Sequence, residues 1–252
     1  MNNVFNKKTI ISFILLVLVI IGLLLIPKKG HIEEYIILDE YKLKYQDGVI
    51  SFAPDKEVID RTFRLLHDSG YIGNYSLVRK DDDTDNLVFK DDEKEVIVKK
   101  PLLGLSDNII FVSDRVVGDF EEKEFNKYKN IVENVDYSLQ DLSLSSKVML
   151  TNKEGELTGL NICTAQYEAD NPEDDYSVLF VEMGDRTIIL DESIPEEIDG
   201  NLVQTIFDVA YILDINGDGR FELVVSNYRY DKAEYSIFKL YDDFDLLFYT
   251  GS

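Results

Sequence analysis

From Tyr35 onward the chain runs in short apolar alternations broken by acidic or glycine-bearing turns. A repeat of two residues places successive side chains on opposite faces of an extended backbone, so this pattern predicts a predominantly β protein. The expected strands in the first half are Tyr41–Tyr45, Val49–Phe52, Ile72–Val78, Leu87–Lys90, Glu95–Val98 and Ile109–Val112. Gln46-Asp-Gly48 joins the first two, and Asp-Gly is favoured in hairpins because both residues tolerate positive φ. In the second half the expected strands are Leu157–Tyr167, Tyr176–Met183, Arg186–Leu190, Val203–Leu213, Phe221–Tyr228, Glu234–Tyr241 and Leu246–Tyr249. Met183-Gly-Asp185 is expected to be a tight turn and Asn171–Asp175 a longer acidic loop. Phe207–Leu213 and Leu223–Val225 are apolar on both faces, which predicts a central hairpin.

Two helical insertions are expected. Over 54–70, Val58, Ile59, Phe63 and Leu66 fall on one helical face, with Pro54 suited to the first turn and Gly70 to the cap. From about Asp119 to Val135, Asp119 and Glu122 have capping-box spacing, and Phe125, Tyr128, Val132 and Val135 form a stripe. Segment 138–146, SLQDLSLSS, reads as the connection between a β-rich half with two helices, 31–137, and a β meander, 147–252. The fold class is therefore mainly β, an antiparallel meander or propeller-like ectodomain with two helical insertions; α+β in two subdomains is the alternative.

Before that region stands Thr9–Ile26, eighteen residues without a charge. About twenty helical residues cross a hydrocarbon core, and this stretch is apolar all round rather than on one face. No small-x-small cleavage pattern and no cysteine follow it, only Pro27-Lys-Lys29, so it reads as an uncleaved transmembrane signal anchor. Two lysines flank each end. The amino-terminal charge and the brevity of residues 1–8 favour a cytoplasmic tail, which places the carboxy-terminal region outside the cytoplasm of a single-pass membrane protein.

The whole chain carries 26 basic and 49 acidic residues, a formal charge of −23. With Lys7, Lys8, Lys28 and Lys29 set aside, residues 31–252 hold 22 basic against 49 acidic residues, a net −27. Such a surface repels phosphate backbones, which argues against nucleic acid as a partner. Cys163 is the single cysteine, so no internal disulfide forms, and its apolar setting predicts a buried, inert thiol. His31 and His67 stand alone, without the neighbours a metal or catalytic site requires.

The sharpest chemistry lies in segment 211–225, YILDINGDGRFELVV. Taking Asp214 as position 1 of a loop puts Asn216 and Asp218 at positions 3 and 5, Gly219 at 6, the Arg220 carbonyl at 7 and Glu222 at 9. Calcium takes six to eight oxygens, and alternate side chains of a tightly wound loop can converge on one centre while a carbonyl joins them. Without a cation, three converging carboxylates repel each other, by about 1 kcal/mol per close pair even in water. The competing reading is a plain hairpin turn at Asn216-Gly217, which leaves Asp214, Asp218 and Glu222 as solvated charges. A helix-loop-helix calcium hand is excluded, since its twelfth position needs a bidentate glutamate and Val225 stands there.

This segment resembles the strand-loop-strand calcium motif of FG-GAP or VCBS-type repeats, found in integrin α-chain propellers and bacterial surface proteins. In that family the loop runs Asp-x-Asp/Asn-x-Asp-Gly-x-x-Asp/Glu. The resemblance implies side-chain ligand roles for Asp214, Asn216, Asp218 and Glu222 and a main-chain role for Arg220, around one calcium ion. It covers about fifteen residues. The Phe-Gly and Gly-Ala-Pro signatures are missing, and the two nearest internal candidates are poor: Asp81–Asn86 has Phe89 at position 9, and Thr151–Glu156 has few ligands.

No Gly-x-Ser-x-Gly, phosphate-cradling loop or paired histidines occur, so the expectation is a non-enzyme, with a hydrolase as the weaker alternative. The expected function is a membrane-anchored extracytoplasmic module in which calcium braces a β-hairpin for contact with a protein or wall component. A calcium-responsive sensor or accessory subunit is the alternative.

Overall fold

The turn chemistry at Gln46-Asp-Gly48 shows how locally this fold is encoded. Asp47 and Gly48 both take positive φ, 52° and 91°, and Gln46 pairs with Val49 across the turn. That twist suits a two-residue hairpin. Met183 and Arg186 close a second tight turn around Gly184-Asp185, with Gly184 at φ 62°. The computed structural model describes residues 33–251 except 68–69, 82–83, 85, 92–93, 99–101, 113–114, 118–138, 152–156, 199 and 230–231.

The protein is mainly β, and its sheets are antiparallel. An eight-stranded sheet comprises β1 (Glu33–Leu38), β2 (Tyr41–Gln46), β3 (Val49–Phe52), β4 (Thr62–His67), β5 (Gly70–Lys80), β6 (Leu87–Lys90), β7 (Glu95–Val98) and β8 (Leu103–Leu105). Their order is β3-β2-β1-β8-β4-β5-β6-β7. A second sheet places β9 (Ile110–Phe111) beside β17 (Ile206–Asp214), then β18 (Glu222–Arg229), β19 (Lys232–Lys239) and β20 (Leu246–Tyr249). A third runs in chain order through β10 (Arg115–Val117), β11 (Leu139–Thr151), β12 (Leu157–Ala169), β13 (Tyr176–Met183) and β14 (Arg186–Ser193). The ribbon β15 (Glu196–Ile198) and β16 (Asn201–Val203) follows. Both five-stranded sheets contain the expected meanders.

The sheet built around β18 is central because both its faces are apolar. On one face Val209, Ile212, Leu223 and Val225 pack against Val148, Ile162, Leu179 and Val181 of the third sheet. On the other, Leu213, Val224 and Ile237 pack against Ile36, Leu38, Leu43 and Leu105 of the first. A third core, with Tyr35, Ile37, Phe63, Leu65 and Phe89, fills the remaining face of the eight-stranded sheet. β1 shows the alternation plainly: Ile36 and Leu38 enter one core, Tyr35 and Ile37 the other.

The helix expected over 54–70 does not form. Only α1 (Asp55–Val58), a single turn, is helical there, and residues 62–67 are strand β4, held between β5 and β8. Phe63 and Leu65 are fully buried in period two, and Gly70 opens β5 rather than capping a helix. The expected helix over 119–135 lies outside the described residues. Segment 138–146, expected as a connection, is strand from Leu139 onward, because a thirteen-residue β11 pairs along β12 with three register shifts. The α+β alternative finds no support in the described residues, where helix amounts to α1 and a 3₁₀ turn at Pro172–Asp174.

The apolar stretch 9–26 also lies outside the described residues; among them, no helix is long and apolar enough to cross a membrane. Cys163 is buried within β12 and forms no disulfide, and His67 is half-buried at the end of β4.

Candidate metal centre

Two strand ends and a glycine-bearing turn build this site. Leu213 and Glu222 are paired residues of β17 and β18, so the chain between them must reverse within eight residues. Gly217 and Gly219 supply φ of 68° and 84°, the left-handed region that a Cβ disfavours. Asp214 fixes the far side of the turn: its Oδ1 accepts from the Asp218 N–H at 3.1 Å and its Oδ2 from the Gly219 N–H at 2.9 Å. Asn216 Oδ1 accepts from the same Asp218 N–H at 3.0 Å, and Asp218 Oδ1 from the Arg220 N–H at 2.9 Å. These short-range bonds turn the polar side chains of positions 1, 3 and 5 inward over the loop backbone.

Glu222 sits opposite. Its Oε2 accepts from the Ile215 N–H at 3.0 Å and its Oε1 from the Tyr241 hydroxyl at 3.3 Å. Asp214 and Glu222 are each only 1% exposed. All their recorded hydrogen-bond donors are backbone N–H groups and one phenol, and no ion pair among the described residues reaches either carboxylate. Burial pushes Glu222 up to about 7, opposed by the Ile215 N–H and reinforced by the charge of Asp214.

Of the five expected ligands, Asn216 and Asp218 are brought into direct side-chain contact, Asn216 Nδ2 lying 3.1 Å from Asp218 Oδ2. Asp214 meets Asp218 through the latter's N–H, and Glu222 reaches the loop through Ile215. The Arg220 side chain points away, over the Tyr241 ring at 5.1 Å and to Asp242 at 3.3 Å. Among the described residues no group of three or more His, Cys, Asp or Glu is gathered closely enough to form a metal cage. The donor set nevertheless suits a hard cation in kind. An ionised carboxylate has about four lone-pair positions, and Asp214 uses two of them on the loop.

The loop also touches the first sheet. Asn216 Nδ2 donates to the Tyr45 hydroxyl of β2 at 3.2 Å, and Ile215 is fully buried among Leu43, Tyr45 and Ile50. Sequence reasoning missed Tyr45 and Tyr241. Tyr241 was within reach of it, since Glu222 pairs with Lys239 in the register of β18 and β19 and Tyr241 follows two residues on. Tyr45 lies 171 residues from its partner, and nothing local marks it.

The other acidic turn behaves differently. Asp81 Oδ1 accepts from the Thr84 N–H at 3.0 Å, an ordinary side-chain cap of an exposed turn. Thr151–Glu156 falls largely on residues outside those described. Comparison of the chain with protein-family models returned no match. Neither the curated proteins nor the solved structures gave one.

Proposed function

We propose that this is a calcium-binding β module, in which an ion held by the 214–222 loop braces the β17–β18 hairpin against the eight-stranded sheet. The observation that carries this reading is the pair of buried carboxylates, Asp214 and Glu222, at the two ends of one loop without a cationic partner among the described residues. Buried charges are ordinarily paired or bound to metal, and an unpaired one is costly. Asp218, Asn216 and the Arg220 carbonyl would complete the oxygen set.

In the particular setting we propose, residues 9–26 anchor the chain in the cell membrane as one pass, and the module lies outside the cytoplasm facing a protein or wall partner. The support is the uncharged apolar stretch together with the acidic remainder. Extracellular modules of this kind bind calcium at about 10⁻⁴ to 10⁻³ M. The reading involves no catalysis. β17 to β20 form a four-stranded meander of the size of a propeller blade, which is what supports the propeller-like reading of the fold.

Calorimetric titration of the wild-type chain and of Asp218→Ala tests the ion. Saturable heat with millimolar calcium in the wild type, lost in the variant, is the expected result; heat-free traces from both would end this reading. A sensor, the alternative role, would change its spectrum or oligomeric state with calcium at fixed temperature, whereas a brace gives a rise in melting temperature alone.

A further inference from the structure

The face of the central sheet that packs on the third sheet changes character along its length. Leu223 and Val225 of β18 point into the apolar core, and Asn227 and Arg229 continue the same face. Where those polar residues begin, the layers part into a cleft of about 330 Å³ between β14 and the β18–β20 edge. Asn227 is only 3% exposed and donates from Nδ2 to Ser236 Oγ at 2.7 Å, yet its Oδ1 has no hydrogen-bond partner among the described residues. Arg229 lines the same cleft; its head group pairs with Glu196 at 2.6 Å, while its buried Nε–H is likewise unpartnered among the described residues.

A buried acceptor and a buried donor left unmade each lose their hydration without replacement. Two residues apart on one strand face, they stand roughly 7 Å from each other along the strand. Ser193 and Thr205, joined by the Thr205 N–H donating to Ser193 Oγ at 3.1 Å, also line the cleft. Tyr249 and Leu246, 40% and 52% exposed, add an apolar lip.

We propose that this cleft binds a small neutral polyol, a mono- or disaccharide, with its hydroxyls on Asn227 and Arg229 and its C–H face on Tyr249. The chemistry follows from what each wall lacks. Asn227 Oδ1 needs a donor and Arg229 Nε–H needs an acceptor, and a hydroxyl is both. Asp191, Glu192 and Glu196 against one arginine exclude an anion. A cationic amine would satisfy the acids and Asn227 but has nothing to offer the Arg229 donor. The volume is at the lower end of small-ligand pockets, matching one or two rings. This inference does not depend on calcium, since none of the loop residues lines the cleft.

Saturation-transfer NMR on the full chain tests it, with glucose and N-acetylglucosamine as probes and spermidine and inorganic phosphate beside them. At least one sugar is expected to bind saturably at millimolar concentration, with transfer strongest at its ring C–H protons. Asn227→Leu should weaken that binding by about tenfold or more. It should leave the fold intact at a somewhat lower melting temperature, because the buried Ser236 hydroxyl loses its partner. Tyr249→Ala, at an exposed position, should weaken binding as well, and it decides the question should Asn227→Leu fail to fold. Absence of saturable binding by both sugars, saturation by spermidine or phosphate alone, or undiminished sugar binding in Tyr249→Ala would each overturn the proposal.

Discussion

Glu222 is the residue whose state depends most on what occupies the loop. Its carboxyl is held near pH 7 in the fold against an ordinary value of 4.5, chiefly by burial. A raised acid favours the fold most when it is protonated. Its contribution is therefore complete below about pH 4.5, falls as pH rises and the unfolded chain ionises first, and is gone above about pH 7. In chelator, urea unfolding across this window should show stability declining with pH, and Glu222→Gln should remove that part of the slope. Calcium favours the ionised carboxylate, so its affinity should rise with pH over the same window in the wild type. An identical slope in Glu222→Gln would show that some other group titrates. The residue types of this loop were legible in the sequence, because oxygen donors at alternate positions with Gly219 between them have few other uses. The burial of Asp214 and Glu222 was not, since it is imposed by sheets laid on both faces of β17 and β18.

At the scale of elements, short apolar runs bounded by marked turns were readable almost to the residue: Val49–Phe52, Leu87–Lys90, Tyr176–Met183 and Leu246–Tyr249 all form as their sequences imply. The failure at 62–67 has a physical cause. TFRLLH, preceded by Val58 and Ile59, satisfies a helical face and a period-two face about equally, and only its neighbours β5 and β8 decide between them. β8 itself is three residues long and carries no local signal, yet it joins β1 to β4 across the middle of the eight-stranded sheet. Gly104 makes that close approach possible: a Cβ there would lie 3.1 Å from Ile37 Cβ and 3.2 Å from Leu65 Cδ2. Gly104→Ala should therefore destabilise the protein by about 1 to 3 kcal/mol, through overpacking rather than backbone strain. Chemical denaturation checks this. An unaltered denaturation midpoint in Gly104→Ala would show that the sheet yields at this point without cost.

Across the whole molecule, the central sheet shares one core with each of its neighbours, and the 214–222 loop lies where it meets the eight-stranded sheet. Ile215 enters the core that holds Leu43 and Tyr45, and Asn216 donates to the Tyr45 hydroxyl. An ion in the loop would thus stiffen a junction between two sheets rather than one turn, and binding to the folded state alone stabilises all that folds with it. At calcium one hundred times its dissociation constant the gain is about 2.7 kcal/mol. For a chain of this size that is a rise of about 5 to 10 °C in melting temperature. Differential scanning of the wild type should show this rise as one transition moving upward, because the cores are contiguous through β17 and β18. Tyr45→Phe removes only the phenol that receives Asn216. It should leave the melt in chelator within a few degrees of the wild type while reducing the calcium-induced rise, since the loop loses its external support. If Tyr45→Phe keeps the full rise, the loop binds as an independent turn, and the coupling between sheets is carried by Ile215 and its apolar neighbours alone.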